Sequence, residues 1–573
     1  MSYRRDPNEE VKLQIVENLW LRGGCATSRA AFGAPQTLSG SLHGTTTFCQ
    51  KLLVHTGTTL YRLTDGVLTT LLTGLPDKKS VAVEFSGKLY VYCDRRIFCV
   101  DRSFCAKEVF PKAPVICTDC APRSAIGTAV SKPVLNQLAP YVAVTYKSPE
   151  AQYLQEGYRF PSDMDTARPF EVYVDDTLVE ASEYTVETKH FHFTTYRQTA
   201  DNAVKLCYYS TKKAYAALGE ALAGCKAGTA FGGGTLEGTR VFLAGNETYP
   251  GRFFTSELGD PLCFVENSGG TLGESTGDIT GFAKQSGDLL IFTESTLSRM
   301  TYHYLSSGGG YFSIKTIHAG IGCDIPQSIA LVDNRTVFAS STHGICIVDN
   351  TEWTDRLNVM PISRSIDDPT CQKGFFALTA DKRRSAVACL FDRKYILYAD
   401  GKAFIWDFGE TPYASSSDPE KAAGRLAWFV FDDLSGRILT DTQTLYTCKE
   451  DKESCTLEKM LPDGEGKMHF SLHSGESTLG QAQVSKAVTG LAFTVRCEQK
   501  TTLTLSAFAD GKRYHTCVVR TVPNENGLAS VYVPFAGRSM ERFSFSVSGE
   551  QSGVGLFDFR VDYHWLKKQK YQK

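Results

Sequence analysis

No apolar run in this chain of 573 residues approaches the roughly 18–20 that a bilayer-crossing helix needs, so none is expected. The first twenty residues, MSYRRDPNEEVKLQIVENLW, hold no signal-peptide core, and the expectation is synthesis and folding in the cytosol. A basic excess is missing too. Lys and Arg number 61 against 63 Asp and Glu, a formal charge of −2. A protein that holds nucleic acid mainly by neutralising phosphates carries such an excess, which argues against a dedicated DNA or RNA binder. Helical periodicity is nearly absent. Catalytic signatures are lacking as well: no Walker loop, no G-x-S-x-G elbow, no H-E-x-x-H and no EF-hand loop.

What remains is an ordinary globular composition, 42% apolar, 11% aromatic and 22% charged. Short runs of β-branched and aromatic residues bounded by Gly, Asp, Asn or Pro recur from end to end, which predicts an all-β protein. Lys51 to Leu63 reads as two strands around Thr56-Gly57, restarting at Asp65-Gly66. Val81 to Val100 repeats this order, with Leu89, Val91 and Cys93 on one face and Tyr90 and Tyr92 on the other. The same grammar returns in Ile279 to Arg299, Ser328 to Val348, Ala386 to Trp406 and Trp428 to Tyr446. Antiparallel units of about 40 residues that cannot bury both faces alone predict a β-propeller, here of about six or seven blades. Phe170 to Tyr209 interrupts the repeats with strict alternation, and after about residue 460 the repeats stop.

The fold expected is therefore a propeller with an inserted β-sandwich-like module and a C-terminal β-sandwich. Its parts are an N-terminal arm and first strands over 1–50, propeller over 51–114, the inserted β-domain over 115–235, propeller again over 236–460 and the sandwich over 461–573. The best helix candidate is Lys213 to Cys225.

Candidate chemistry is sparse. The 18 cysteines are scattered singly and are expected as buried thiols; Cys117 and Cys120 form a C-x-x-C with no second ligand pair at zinc spacing. His190 and His192 share one strand face, but no third ligand is spaced to join them, so a solvated face and no metal are expected. Gly308 to Gly310 reads as a hairpin tip. The pairs Asp175-Asp176, Asp367-Asp368 and Asp432-Asp433 fall in predicted turns, and neighbours on a strand point to opposite faces, which disfavours a glycosidase pair. Lys382-Arg383-Arg384 and the terminal Lys567, Lys568, Lys570 and Lys573 read as solvated runs. No catalytic residue, cofactor or enzyme activity is expected.

One stretch carries a resemblance. Arg240 to Phe264, RVFLAGNETYPGRFFTSELGDPLCF, resembles the "rvfltGnp.yPnr.yyS.lgDPtyF" segment of β-propeller neck and tail proteins of tailed bacteriophages, called tail nozzle or packaged-DNA stabilisation proteins. Similar features run through Leu52 to Leu63, Phe170 to Tyr209, Ile279 to Phe292, and Gly320 to Ile347. Within the stretch Asn246, Pro250, Gly251, Gly259, Asp260 and Pro261 read as a structural turn motif that fixes strand exit angles, with a subunit contact as the functional reading. The unusually common cysteines and the first twenty residues have no counterpart in the family pattern.

The resemblance implies a non-enzymatic virion component, assembled in the host cytoplasm. It would form a homo-oligomeric ring at the neck or tail, against portal, adaptor or tail proteins, around a conduit that holds packaged DNA and passes it without sequence-specific binding. A near-neutral chain suits that role, since strong positive charge would hold DNA instead of letting it slide. Neighbours are expected on the inserted module, the sandwich and the N-terminal arm before Cys25. The alternative is a receptor- or glycan-binding tail protein, with Tyr514, Tyr532, Tyr563 and Trp565 as its platform. A third reading, an enzyme on a propeller, would need a carboxylate pair at the axis.

Overall fold

Two-residue turns with both residues left-handed set the strand pattern. Asp65-Gly66, Ser86-Gly87, Asp333-Asn334 and Asp400-Gly401 have φ of 50° and 83°, 48° and 68°, 44° and 62°, and 50° and 78°. Such turns match the right-handed twist of the strands they join, which is why Asp, Asn and Gly recur at these spacings. In the computed structural model of the chain the described residues are 13–111, 134–138, 141–146, 157–195, 203–212, 214–232, 238–265, 268–273, 277–304, 310–349, 358–367, 374–414, 422–480 and 484–566.

The protein is nearly all β. Six separate four-stranded antiparallel sheets, and a further four strands that begin a nine-stranded one, follow one another along the chain. The first comprises Leu42–Phe48, Lys51–Thr56, Thr59–Thr64 and Val67–Thr73; the second comprises Ser80–Phe85, Lys88–Cys93, Arg96–Val100 and Ala106–Val109. The third is built from Ala227–Phe231, Arg240–Ala244, Arg252–Thr255 and Gly270–Thr271, and the fourth from Ile279–Gln285, Asp288–Thr293, Thr296–Tyr304 and Gly310–Ala319. The fifth holds Ala330–Val332, Arg335–Ser340, Gly344–Val348 and Val359–Pro361. The sixth holds Val387–Phe391, Lys394–Ala399, Lys402–Asp407 and Trp428–Phe431. In the seventh, Arg437–Thr440, Leu445–Glu450 and Ser454–Met460 are completed by Phe32–Ser39, whose Leu38 pairs with Cys455.

Each sheet buries both faces against its neighbours in the series. In the second, Leu89, Val91 and Cys93 pack with Leu53 and Leu60 of the first sheet. The opposite face, with Tyr92 and Val83, packs on Val241 and Leu243 of the third. Further clusters join third to fourth, fourth to fifth, fifth to sixth and sixth to seventh. One more joins the seventh back to the first, through Leu439, Tyr446, Leu52 and Val54. The packing sequence is thus cyclic.

Two five-stranded layers form a sandwich. One carries Leu13–Glu17, Lys467–Ser474, Phe543–Gln551, Thr501–Ala509 and Lys512–Thr521; the other carries Leu19–Arg22, Cys25–Ser28, Gly555–Trp565, Lys486–Arg496 and Leu528–Met540. Between them lie Phe470, Val488, Leu491, Leu503, Phe545 and Leu556. Leu13–Glu17 also pairs parallel with Trp428–Phe431, which merges this layer with the sixth small sheet. Asn18 and Arg29 fasten that seam. The Arg29 guanidinium donates to Asn18 Oδ1 at 2.9 Å and to the Asp432 carbonyl at 3.1 Å, while Asn18 Nδ2 donates to the His469 carbonyl at 2.8 Å. Burial pulls the Arg29 pKa down to about 10, against the attraction of Asp433 and Asp432, so the group stays cationic at neutral pH.

The inserted module has a five-stranded and a three-stranded sheet around Val142, Val144, Tyr158, Val172, Phe191 and Leu206. A helix, Ala214–Ala223, leads out of it.

Several boundaries differ from those expected. Leu42–Phe48, assigned above to the segment before residue 51, is the first strand of the first small sheet. Ala227–Phe231, assigned to the insertion, is the first strand of the third. Gly44 and Gly228 weaken the strand patterns at these positions, and tertiary packing overrides this. The N-terminal arm before Cys25 is, from Leu13 on, built into the sandwich, because Leu19 and Trp20 are completely buried. Their apolar surface is too large to be left on a projecting arm.

Candidate functional site

The turn motif lies where the inserted module meets the third sheet, with Asn246 and Pro261 buried and Pro250 and Gly259 exposed. Tyr249, Pro250, Gly251 and Arg252 form one reverse turn, with the Arg252 N–H donating to the Tyr249 carbonyl at 3.2 Å and Gly251 at φ +68°. Pro before a left-handed Gly is the composition that a type II turn requires. Glu257 to Asp260 forms the next, with Gly259 at φ +71° and the Asp260 N–H on the Glu257 carbonyl at 3.2 Å.

Asn246 and Asp260 each close a local ring, accepting from the N–H of Thr248 at 2.8 Å and of Leu262 at 3.0 Å. The outward atoms carry the contacts. Asn246 Nδ2 donates to the Ala221 carbonyl at 2.7 Å in the last turn of the helix, and a Cβ on Gly224 would lie 2.4 Å from that nitrogen. Glycine is therefore needed where the helix ends. The Pro261 carbonyl accepts from the Tyr92 hydroxyl of the second sheet at 2.8 Å.

From the module side comes Asn136, fully buried and not singled out by the sequence. Its Nδ2 donates to the Leu262 carbonyl at 2.8 Å, and its Oδ1 accepts from the N–H groups of Leu138 at 3.2 Å and Phe264 at 3.1 Å. Gln137 adds a bond from Nε2 to the Val265 carbonyl at 2.6 Å. One Asn thus satisfies backbone groups that burial would otherwise strand. Of the six motif residues, Asn246 and Pro261 reach this seat, whereas Pro250 and Gly259 are exposed and shape the turns beside it; these contacts are made by amides and carbonyls. The seat positions one element on another.

A second constellation lies on the module's three-stranded sheet. His190 and His192 share a face, as their spacing predicts. The expectation that nothing joins them is corrected by Glu187, whose Oε2 lies 3.0 Å from His190 Nε2 and whose Oε1 lies 3.4 Å from His192 Nε2. The carboxylate comes from across a hairpin turn, so a search along one strand misses it; E-x-x-H-x-H spanning a hairpin turn is the signal that finds it.

The acidic pairs stay apart from one another. Asp175-Asp176 is itself a left-handed hairpin turn, with φ of 47° and 59°. Asp367 is half-buried, and burial pushes its carboxyl up to about 7 against a hydrogen bond from Ser363 and the charge of Arg383. In the basic run Lys382 and Arg384 are exposed, as expected, and pair at the surface with Asp400 at 2.7 Å and Asp324 at 3.3 Å, while the partly buried Arg383 donates from Nε to the Ser341 carbonyl at 2.9 Å. Short helix Ala380–Arg384 aligns these side chains with acceptors on neighbouring loops. Gly310 opens a strand. Cys117, Cys120, Gly308, Gly309, Asp368 and the terminal lysines lie outside the described residues.

The four sandwich aromatics do not form one platform. Tyr514 and Tyr563 pack against the sandwich core, whereas Tyr532 is 55% exposed on the opposite face of its sheet. Trp565, 48% exposed, stacks edge-on to Tyr563 at 5.4 Å and covers the Lys486 ammonium.

No protein-family model matches the chain, and no curated protein matches it. Solved structures similar to it include an exo-β-1,3-galactanase from Phanerochaete chrysosporium with galactose, at 10% identity and a TM-score of 0.18, covering 83% of this chain and 95% of that one. Hsv2 of Kluyveromyces lactis is similar at 8% identity and a TM-score of 0.24, over 69% of this chain and 97% of that one. Likenesses this slight carry no argument about fold or function.

Proposed function

We propose that the seven small sheets are the blades of one β-propeller and that the chain is a non-enzymatic structural component of a tailed-phage virion. In this reading it forms a ring at the neck or tail that lines the DNA conduit and retains packaged DNA. Portal, adaptor or tail proteins and further copies of the chain are its partners. One observation carries the reading: the stretch Arg240 to Phe264, by which the sequence resembles phage neck and tail proteins, supplies the Asn246 amide and the Leu262 and Phe264 backbone groups on which the inserted module is seated. Such a seat positions one element on another, which is what a scaffold needs. The cyclic order of inter-sheet clusters supports the propeller, because a sheet with two apolar faces must be covered on both sides.

Closure of that kind leaves few free sheet edges at the centre, so contacts with neighbours fall to the inserted module and the sandwich. Antibody raised against the purified chain should label phage particles on the portal–tail axis by electron microscopy. Particles that carry no label there, or label only at distal fibres, overturn the reading.

A further inference from the structure

We propose that Glu187, His190 and His192 bind one divalent transition-metal ion of the zinc class on the inserted module. The backbone makes the convergence. Tyr184–Val186 and His190–Phe193 pair antiparallel, with Thr185 opposite His192 and Val186 opposite Phe191, and the Glu187 N–H donates to the His190 carbonyl at 2.8 Å. Glu187 therefore stands across the turn from His190, and His192 follows two residues on, upon the same face.

The donor separations fit a metal. Ligands about 2.0–2.1 Å from a tetrahedral ion lie about 3.3 Å from each other, and here the carboxylate oxygens lie 3.0 Å and 3.4 Å from the two Nε2 atoms. One donor atom from each of the three side chains falls within 4.8 Å of the others. Two further features hold the ligands. Phe191 between the histidines is completely buried and stacks on Tyr158 at 5.1 Å, which fixes the strand. Gly157, at φ +70°, allows the His192 ring to lie against backbone, since a Cβ there would come within 2.7 Å of Nδ1.

Two imidazoles and one carboxylate favour Zn²⁺, Co²⁺, Ni²⁺ or Cu²⁺ over Mg²⁺ and Ca²⁺, which prefer all-oxygen sites. Three protein ligands leave a position open to water or to a donor from another molecule. Arg159, opposite His190 on the third strand, is the cation that works against the ion, and the Glu187 charge works for it. The inference is independent of the virion reading.

The test uses the full chain, stripped with a chelator and titrated with Co²⁺. A saturable visible band of tetrahedral Co²⁺ at one ion per chain is expected, removed by Zn²⁺ and unaffected by excess Mg²⁺ or Ca²⁺. Glu187→Gln, His190→Ala and His192→Ala should each weaken binding about tenfold or more, whereas His303→Ala in the fourth sheet should not. Glu187 is the most exposed of the three, so Glu187→Gln leaves the fold intact and reads the site alone. Absence of a saturable band, or a band that survives in Glu187→Gln and in the double histidine variant, overturns the proposal.

Discussion

Asp367 and His55 give the molecule opposite pH responses. Burial raises the Asp367 carboxyl from 3.8 to about 7, so between about pH 4 and 7 the folded chain holds a proton that the unfolded chain has released. Stability contributed at this site therefore falls as pH rises through that window. Asp367→Asn keeps an acceptor for the Ser363 hydroxyl and removes the charge. The variant should match the wild type near pH 4 and exceed it by about 2–4 kcal/mol at pH 8 in urea unfolding; equal midpoints at pH 8 would refute the buried-charge account. For His55, burial and the neighbouring His43 pull the imidazole down to about 4, so stability at that site is full above about 6.5 and is lost as pH falls toward 4. His55→Gln should flatten the acid limb between those values. Thiols behave more simply. Burial pushes Cys93 up to about 11 and Cys225 up to about 12, which keeps both protonated and unreactive at neutral pH. Unfolding midpoints of freshly purified protein should agree with and without reductant. A drop on reduction would point to Cys448 and Cys455, whose sulfurs lie 2.9 Å apart.

At the level of elements, the Asn18–Arg29 seam and the insertion seat decide how the parts hold together. Asn18→Ala strips the buried guanidinium of one acceptor and frees the Asp432 N–H, which donates to the same Oδ1 at 2.9 Å. It should lower stability by about 2–4 kcal/mol, and calorimetry should resolve two transitions where the wild type shows one. A single unshifted transition would mean that the seam is not what couples sandwich and sheets. The inserted module should be separable at a different place from the one its sequence suggests. Tyr141 pairs with Tyr209, so replacing 141–209 by a short Gly/Ser linker joins neighbouring points and should leave a folded protein. Removing 115–235 also takes Ala227–Phe231 and the helix from the core between second and third sheets, and should give aggregates in size-exclusion chromatography. Much of this organisation was legible in the sequence: the alternation of Leu89 to Cys93, the turns at Asp65, Ser86 and Asp400, and the break at Phe170 all follow from periods of two and left-handed turn chemistry. What escaped was mostly non-local. Nothing near Phe32–Ser39 says that its partner is Ser454–Met460, and nothing near Asn136 names Leu262; Glu187, three residues before His190, is local but stands across a hairpin turn from the strand that carries the histidines.

For the whole molecule, the proposed propeller is completed by a strand that lies far in sequence from the rest of its sheet. Phe32–Ser39 completes the seventh sheet, and Leu13–Glu17, Leu19–Arg22 and Cys25–Ser28 complete the sandwich. Deleting residues 1–40 should therefore abolish folding, seen as loss of the cooperative thermal transition, whereas a true projecting arm could be removed without harm. A retained transition would return those residues to the role of an arm. The same arrangement sets a timetable for synthesis. Thr37 and Thr456, hydrogen-bonded side by side in the seventh sheet, are 419 residues apart. At about 5–20 residues per second, a ribosome makes the first of them roughly 20–80 s before the second. Through that interval the nascent chain trails a finished edge with no mate, open to pairing with whatever strand passes. A second copy emerging from the same message is the nearest such strand, so polysome density and chaperone supply should govern the yield of soluble protein more than its final stability does.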